Sequence, residues 1–166
     1  MLLSIYGGGC MTKKYYGYYN SPIGVLEIIS SEDAILSVMF VEEEKESGKD
    51  IEILREAIKQ FAEYFKGIRK EFNIKCEMEG TEFQKTAWKA LMEIPYGETR
   101  SYKEQAIQIG NEKATRAVGN ANSKNLISII IPCHRVIGSN KSLTGYAGGL
   151  NRKQWLLELE KGVLRK

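Results

Sequence analysis

Histidine is almost missing from this chain: His134 is the single one among 166 residues. Any catalytic device built on an imidazole must therefore use it. Cysteine is nearly as scarce. Cys10, Cys76 and Cys133 are odd in number and share no CxxC spacing, which argues against a disulfide framework or a zinc knuckle and leaves free thiols as the expectation. With no HExxH and no paired cysteines, no metal is expected, and without a GxxxxGK[ST] or GxGxxG loop no nucleotide cofactor is expected either. No window approaches the ~18 to 20 uninterrupted apolar residues that a bilayer span needs. The opening MLLSIYGGGC has neither the basic start nor the apolar length of a secretory signal, so a cytoplasmic chain without membrane attachment is expected.

What is present is enough apolar content, 43%, to bury a real core in one ordinary domain or two small ones. Charge is uneven. Residues 1–78 carry 10 Lys and Arg against 13 Asp and Glu, and residues 79–166 carry 14 against 8, so the halves stand at −3 and +6. A basic excess confined to one half suits contact with a polyanion. Residues 1–14 read as a loose leader in which Met11 is a second possible start, 15–78 as a small α/β unit and 79–166 as a basic, mainly helical unit. In the first unit KYYGYYN, IGVLEIIS and AILSVMFV predict an antiparallel meander, separated by Ser, Pro, Asp and Glu turn signals. After an acidic loop, Ile51, Leu54, Ile58, Phe61, Ala62 and Phe65 recur at helical spacing, and Gly67 stops that helix. IRKEFNIKCEMEG reads as a linker.

The second unit opens with Thr81 as N-cap of a helix whose apolar face is Phe83, Ala87, Trp88, Leu91 and Met92. Ser101 with Glu104 fits a capping box, Gly110 a helix stop, and a further helix begins at Asn111 or Lys113. That is helix-turn-helix spacing, although on spacing alone an ordinary helical hairpin is the better reading. LISIIIP predicts a strand, and LNRKQWLLELEKG a last helix. Between them stands PCHR. Adjacent residues of a regular strand point to opposite faces, so Cys133 and His134 could not share a pocket there. Pro132 removes a ladder donor and fixes its own backbone angle, which ends the strand and lets thiol and imidazole approach one pocket directly or through a bridging water. The pattern is that of a cysteine nucleophile with a base, and Glu158 or Glu160 could orient the imidazole.

IPCHRV, with PYGETRSYKEQA, RAVGNANSKN and GYAGGLNRKQWLLELE, strongly resembles the O6-alkylguanine-DNA alkyltransferases, also called methylated-DNA–protein-cysteine methyltransferases. The match runs from about Gly80 to Glu160 in several ordered motifs, and the first half matches in general form. The resemblance lifts the helix-turn-helix reading above the hairpin. It implies an α/β (α+β) fold with a small antiparallel-sheet-plus-helix domain ahead of a mainly helical domain. It also implies irreversible, single-turnover transfer of an alkyl group from O6-alkylguanine in double-stranded DNA to Cys133, with no cofactor. His134 acts through a water as base and Glu160, rather than Glu158, orients it. Tyr102 donates to the guanine ring, and Asn125 ties its helix to the active-site strand. Because chemistry on a stacked base needs that base outside the duplex, Arg116 is expected to fill the gap. Ala117, Gly119, Ser101 and Tyr102 are expected against DNA in the minor groove. Pro132, Val136, Tyr146 and Ala147 match the guanine pocket, and the chain is expected to act as a monomer.

Leu126 and Ser128 stand where many relatives have proline, so a less rigid hinge is expected, and Ala147 replaces a serine of some members, which changes pocket size. Some members carry zinc in the first domain. The lack of histidine there implies none here. Rivals from other classes are a lesion-binding module lacking the nucleophile, against which Cys133 argues, a multiple-turnover cysteine hydrolase, and a regulator using the helix-turn-helix alone.

Overall fold

The computed structural model describes residues 12–45 and 47–164, so Cys10 and the possible start at Met11 lie outside the described residues. Strands β1 (Tyr15–Ser21), β2 (Gly24–Ser30) and β3 (Ile35–Val41) form the expected antiparallel meander, with Tyr15 opposite Ser30 and Val25 opposite Val41. Leu26, Ile28 and Ser30 alternate inward along β2, as a strand with one covered face requires. Helix α1 (Glu52–Phe65) provides the cover through Leu54, Ala57, Phe61, Tyr64 and Phe65. It ends where Gly67 turns left-handed at φ 72°, its amide donating to Tyr64 O at 2.8 Å.

The free edge of β3 organises the rest. Ile35 N donates to Lys75 O at 2.8 Å and Glu77 N to Ile35 O at 2.9 Å, so part of the expected linker is bound to the sheet. Further along the same edge, Val38 N donates to Leu126 O at 2.8 Å and Ser128 N to Val38 O at 3.0 Å. Pairing both segments to this edge uses backbone groups that would otherwise stand open, and it fixes the approach to Cys133 against the first half of the chain.

Helix α2 (Glu82–Met92) begins with a capping box in which Gln84 N donates to Thr81 Oγ1 and Thr81 N to Gln84 Oε1. Its buried face is Ala87, Trp88, Ala90 and Leu91. Phe83 and Met92 are exposed, so the apolar stripe is narrower than the periodicity predicts. Strand β4 (Arg100–Ser101) pairs in parallel with β5 (Val136–Ile137). Ser101 then caps α3 (Tyr102–Gln108) in the expected box with Glu104. Gly110 at φ 82° and a 3-10 turn over Glu112–Ala114 lead into α4 (Thr115–Ser123). Helix α5 (Leu150–Glu160) closes the fold.

The expected strand at LISIIIP is not one. After pairing with Val38 the chain folds on itself: Ile131 N donates to Ile127 O at 3.0 Å, and Ile129 adopts φ 73°. A left-handed β-branched residue is rare and costs about 1–3 kcal/mol. Burial of Ile127, Ile129 and Ile131 and the hydrogen bonds of Asn125 hold it in place. Isoleucines buried at alternate positions, Ile127, Ile129 and Ile131, have the periodicity of a core strand, and side-chain capture by Asn125 is what overrides it.

Candidate active site

Pro132 ends this fold-back, and Cys133–Arg135 form a 3-10 turn that replaces strand geometry at the point where proline forbids a ladder donor. All three side chains of the turn are buried. Asn125, just beyond α4, sends Nδ2 to Ile131 O at 2.8 Å and to Cys133 Sγ at 3.3 Å, while its Oδ1 accepts from Ile127 N at 2.9 Å. One amide thus fixes the loop and touches the thiol. Burial pushes the Cys133 thiol up from its ordinary value, and the Asn125 amide and the Lys153 cation act in the opposite sense.

Glu160, at the end of α5, is the hub of the buried cluster. Its Oε1 accepts from Tyr64 OH at 2.7 Å and Arg135 Nη2 at 2.9 Å, and lies 2.7 Å from His134 Nε2. Its Oε2 accepts from Arg135 Nε at 2.9 Å and Gly97 N at 3.3 Å. Burial disfavours the Glu160 charge, but His134 and Arg135 outweigh it and hold the carboxyl well below its usual range. An ionised carboxylate only accepts, so the Nε2–Glu160 contact requires the hydrogen on Nε2 and leaves Nδ1 with a free lone pair. Nδ1 is buried and has no hydrogen-bond partner among the described residues. Burial also pushes the imidazole down from its ordinary value, with Glu160 opposing, which favours the neutral ring. The other candidate carboxylate, Glu158, accepts from Gln154 at 2.8 Å on the same helix.

Three residues of this cluster, Arg135, Lys153 and Tyr64, were not assigned a site role from sequence. Arg135, the basic neighbour of the thiol in the chain, spends its guanidinium on Glu160 and on Ile94 O at 2.7 Å. The cation that acts on the thiol is Lys153, fully buried, which donates from Nζ to Thr144 O at 2.7 Å and lies 5.8 Å from the Tyr102 ring centroid. Burial lowers its pKa to about 8. A signal existed: Lys153 shares the buried face of α5 with Leu156, Leu157 and Glu160, where a solvated lysine does not belong. Tyr64 comes from the first half, 96 residues from Glu160, and no spacing could have indicated it.

Around the cluster, Tyr102 donates to Thr144 O at 2.9 Å, and burial pushes its hydroxyl up. Pro132 and Val136 are buried, Tyr146 is half-buried and Ala147 exposed. The Tyr146 hydroxyl is pushed up by burial first and by the Cys133 charge second, with Ser128 among the groups acting the other way. Gly119 faces the Tyr102 ring: a Cβ there would lie 3.6 Å from Tyr102 Cδ1. Ser101 is half-buried at the β4–α3 junction, while Arg116 and Ala117 stand on the exposed face of α4, outside the buried cluster. The structure therefore gathers Cys133, His134, Glu160 and Asn125 by direct bonds or chain adjacency, and sets Arg116 and Ala117 apart from them.

Fold and site together define an α/β protein with a buried cysteine centre seated against a pair of helices. Residues 82–162 match the 6-O-methylguanine DNA methyltransferase, DNA binding domain, and residues 14–78 match the ribonuclease-like domain of the same family. A methylated-DNA–protein-cysteine methyltransferase of Methanosarcina acetivorans is 51% identical over 152 residues, which cover 88% of this chain and 97% of that protein. The crystal structure of Mycobacterium tuberculosis O6-methylguanine methyltransferase aligns with TM-score 0.83 at 46% identity, covering 90% of this chain and 94% of that one. A structure of the mycobacterial protein in complex with DNA aligns with TM-score 0.82 at 47% identity, covering 89% and 92%. This chain belongs to the 6-O-methylguanine DNA methyltransferase family.

Proposed function

We propose that the chain repairs DNA by moving the alkyl group of O6-alkylguanine onto Cys133 Sγ in one irreversible step, with the damaged base turned out of the duplex. The observation that carries this reading is a buried cysteine next in the chain to a buried histidine whose Nδ1 has no partner among the described residues and whose Nε2 is tied to a Glu160 held ionised by Arg135. His134 takes the thiol proton through a water, and sulfur attacks the alkyl carbon. The S–C bond forms as the C–O6 bond breaks, and guanine keeps the bonding pair. Tyr102 supports protonation of the departing ring, and the proton lost from sulfur balances the one gained by guanine. The product is a neutral thioether with no leaving group that the site can activate, so each chain reacts once and no cofactor enters.

Exposure of Arg116 and Ala117 on α4, in the basic half, supports placing this helix against the minor groove with Arg116 in the vacated stack. Pro132, Val136, Tyr146 and Ala147 form the guanine pocket, Gly119 allows close approach beside Tyr102, and Ser101 sits at the DNA-facing end of α3. The chain acts as a monomer made of a supporting unit, 15–78, and a reacting unit, 79–166. The test is intact-protein and peptide mass spectrometry after incubation with a duplex holding one O6-methylguanine. One methyl per chain on the Cys133 peptide, absent in Cys133→Ala, is expected. Tight lesion binding without a mass gain would replace this reading by a binding module, and many product molecules per chain would replace it by a hydrolase.

A further inference from the structure

Helices α3 and α4 share little apolar surface. Their small cluster is Ala106, Ala114 and Val118, flanked by Tyr102 and Ile109. Short side chains offer few ridges to interlock, so packing alone defines the crossing of these helices weakly. A different device joins them. Gln105 of α3 and Asn122 of α4 are both buried and face each other amide to amide: Gln105 Nε2 donates to Asn122 Oδ1 at 3.0 Å, and Asn122 Nδ2 returns a bond to Gln105 Oε1 at 2.8 Å. The second hydrogen of Gln105 Nε2 reaches Ala87 O of α2 at 3.0 Å, and Trp88 Nε1 of α2 donates to Ala121 O of α4 at 2.9 Å. Three helices are thus laced by directional bonds between buried groups, where slipping either amide would strand polar atoms.

The position of the pair gives it a function. Asn122 lies three residues before Asn125, whose amide holds Cys133 Sγ, and six residues after Arg116 on the opposite, exposed face of the helix. We infer that the Gln105–Asn122 amide pair is a positioning device that sets the location of the DNA-facing side of α4 relative to the thiol. This rests on the proposed repair of duplex DNA. Reaction with a free base needs only the pocket and the nucleophile, whereas reaction with duplex needs Arg116 and Cys133 held at one separation.

The experiment compares single-turnover rates on an O6-methylguanine duplex and on O6-methylguanine as the free base. In the variant carrying Gln105→Leu with Asn122→Leu, the free-base rate is expected within twofold of wild type and the duplex rate at least tenfold lower. Gln105→Asn with Asn122→Gln restores a reciprocal amide pair and is expected to recover the duplex rate to within threefold. Duplex repair at the wild-type rate in the Leu pair overturns the inference, as does an equal loss on both substrates, which marks plain destabilisation. If the Leu pair shows no cooperative thermal transition, Gln105→Met carries the same ratio test under the same criteria. Failure of wild type to methylate Cys133 would instead defeat the repair reading itself, so the two failures are distinct.

Discussion

Replacing Glu160 by Gln tests the hub of the site. The wild-type carboxylate receives Tyr64, both Arg135 contacts, His134 and Gly97 with its two oxygens, and the His134 and Glu160 side chains are 0% exposed. A Gln amide puts an NH2 in place of one oxygen. If NH2 replaces Oε1, it faces Nε2 and forces the imidazole hydrogen onto Nδ1, abolishing the free lone pair. If it replaces Oε2, it opposes Arg135 Nε and Gly97 N. Either way the buried Arg135 loses its counter-charge, and removal of one partner of a buried pair costs about 3–5 kcal/mol. For a chain of this size that is a fall in melting temperature of roughly 6–20 °C. Where NH2 takes the Oε1 place, loss of the Nδ1 lone pair predicts a repair rate about 10²–10⁴-fold lower. Circular-dichroism melts and quenched single-turnover repair of an O6-methylguanine duplex measure the two effects. The pH dependence has a definite sign. A carboxyl whose folded value is depressed contributes stability fully above its ordinary value of ~4.3 and loses it as pH falls through the folded value. The acid limb of the melting profile is therefore expected to be shallower in Glu160→Gln than in wild type. A melt within 2 °C and a rate within threefold of wild type, by the order of magnitude expected for a solvated pair, would refute the hub.

Tyr64→Phe removes one hydrogen bond to a charged group and keeps the ring in its core, so a loss of about 1.5–3 kcal/mol is expected in urea unfolding, smaller than that of Glu160→Gln. Lys153→Met is expected to slow methyl transfer at pH 7 by about tenfold or more, because the cation acting on the thiol is gone. Since the lysine is held below its ordinary value, wild type is expected to gain stability relative to Lys153→Met as pH rises from about 8 toward ~10.4, read by paired melts. Arg116→Ala is expected to slow duplex repair more than reaction with the free base, since only the duplex leaves a gap to fill. Equal losses on both substrates would remove that role.

The legible parts of this fold are those governed by neighbours in the chain. The cap at Thr81 and the box of Ser101 with Glu104 are built within one helical turn, and Gly67 and Gly110 adopt the left-handed backbone that stops a helix, so sequence alone places them. The meander was legible from alternation and turn residues. The run from Leu126 to Pro132 misled because periodicity records burial and not direction: Ile127, Ile129 and Ile131 are buried as in a strand, while Asn125 bends their backbone back on itself. At the site, Cys133 and His134 were visible by scarcity and by the proline before them. Glu160 needed the family motif to separate it from Glu158, and in the fold only Glu160 faces inward to His134. Lys153 was visible in principle as a cation on an apolar stripe, Tyr64 not at all.

Tyr64 also alters what the first half of the chain is for. That half touches the second at several places, among them Ile23 O, which accepts from Arg152 Nε at 2.7 Å, and Phe65, which packs on Trp155, but two of its attachments bear directly on the surroundings of Cys133 and His134. The edge of β3 pairs with residues 126–128, immediately before the left-handed turn at Ile129, and α1 sends a hydroxyl to the same Glu160 oxygen that faces His134. Strain at Ile129 persists only where its surroundings over-determine it, and the β3 pairing joins Asn125 and the burial of Ile127, Ile129 and Ile131 among those determinants. A buried carboxylate with five donors keeps its charge only while the donors stay in place, and one of them belongs to α1. The placement of the Cys133 thiol and the tautomer of His134 therefore depend on both halves being folded together, although each site residue expected from sequence lies in the second.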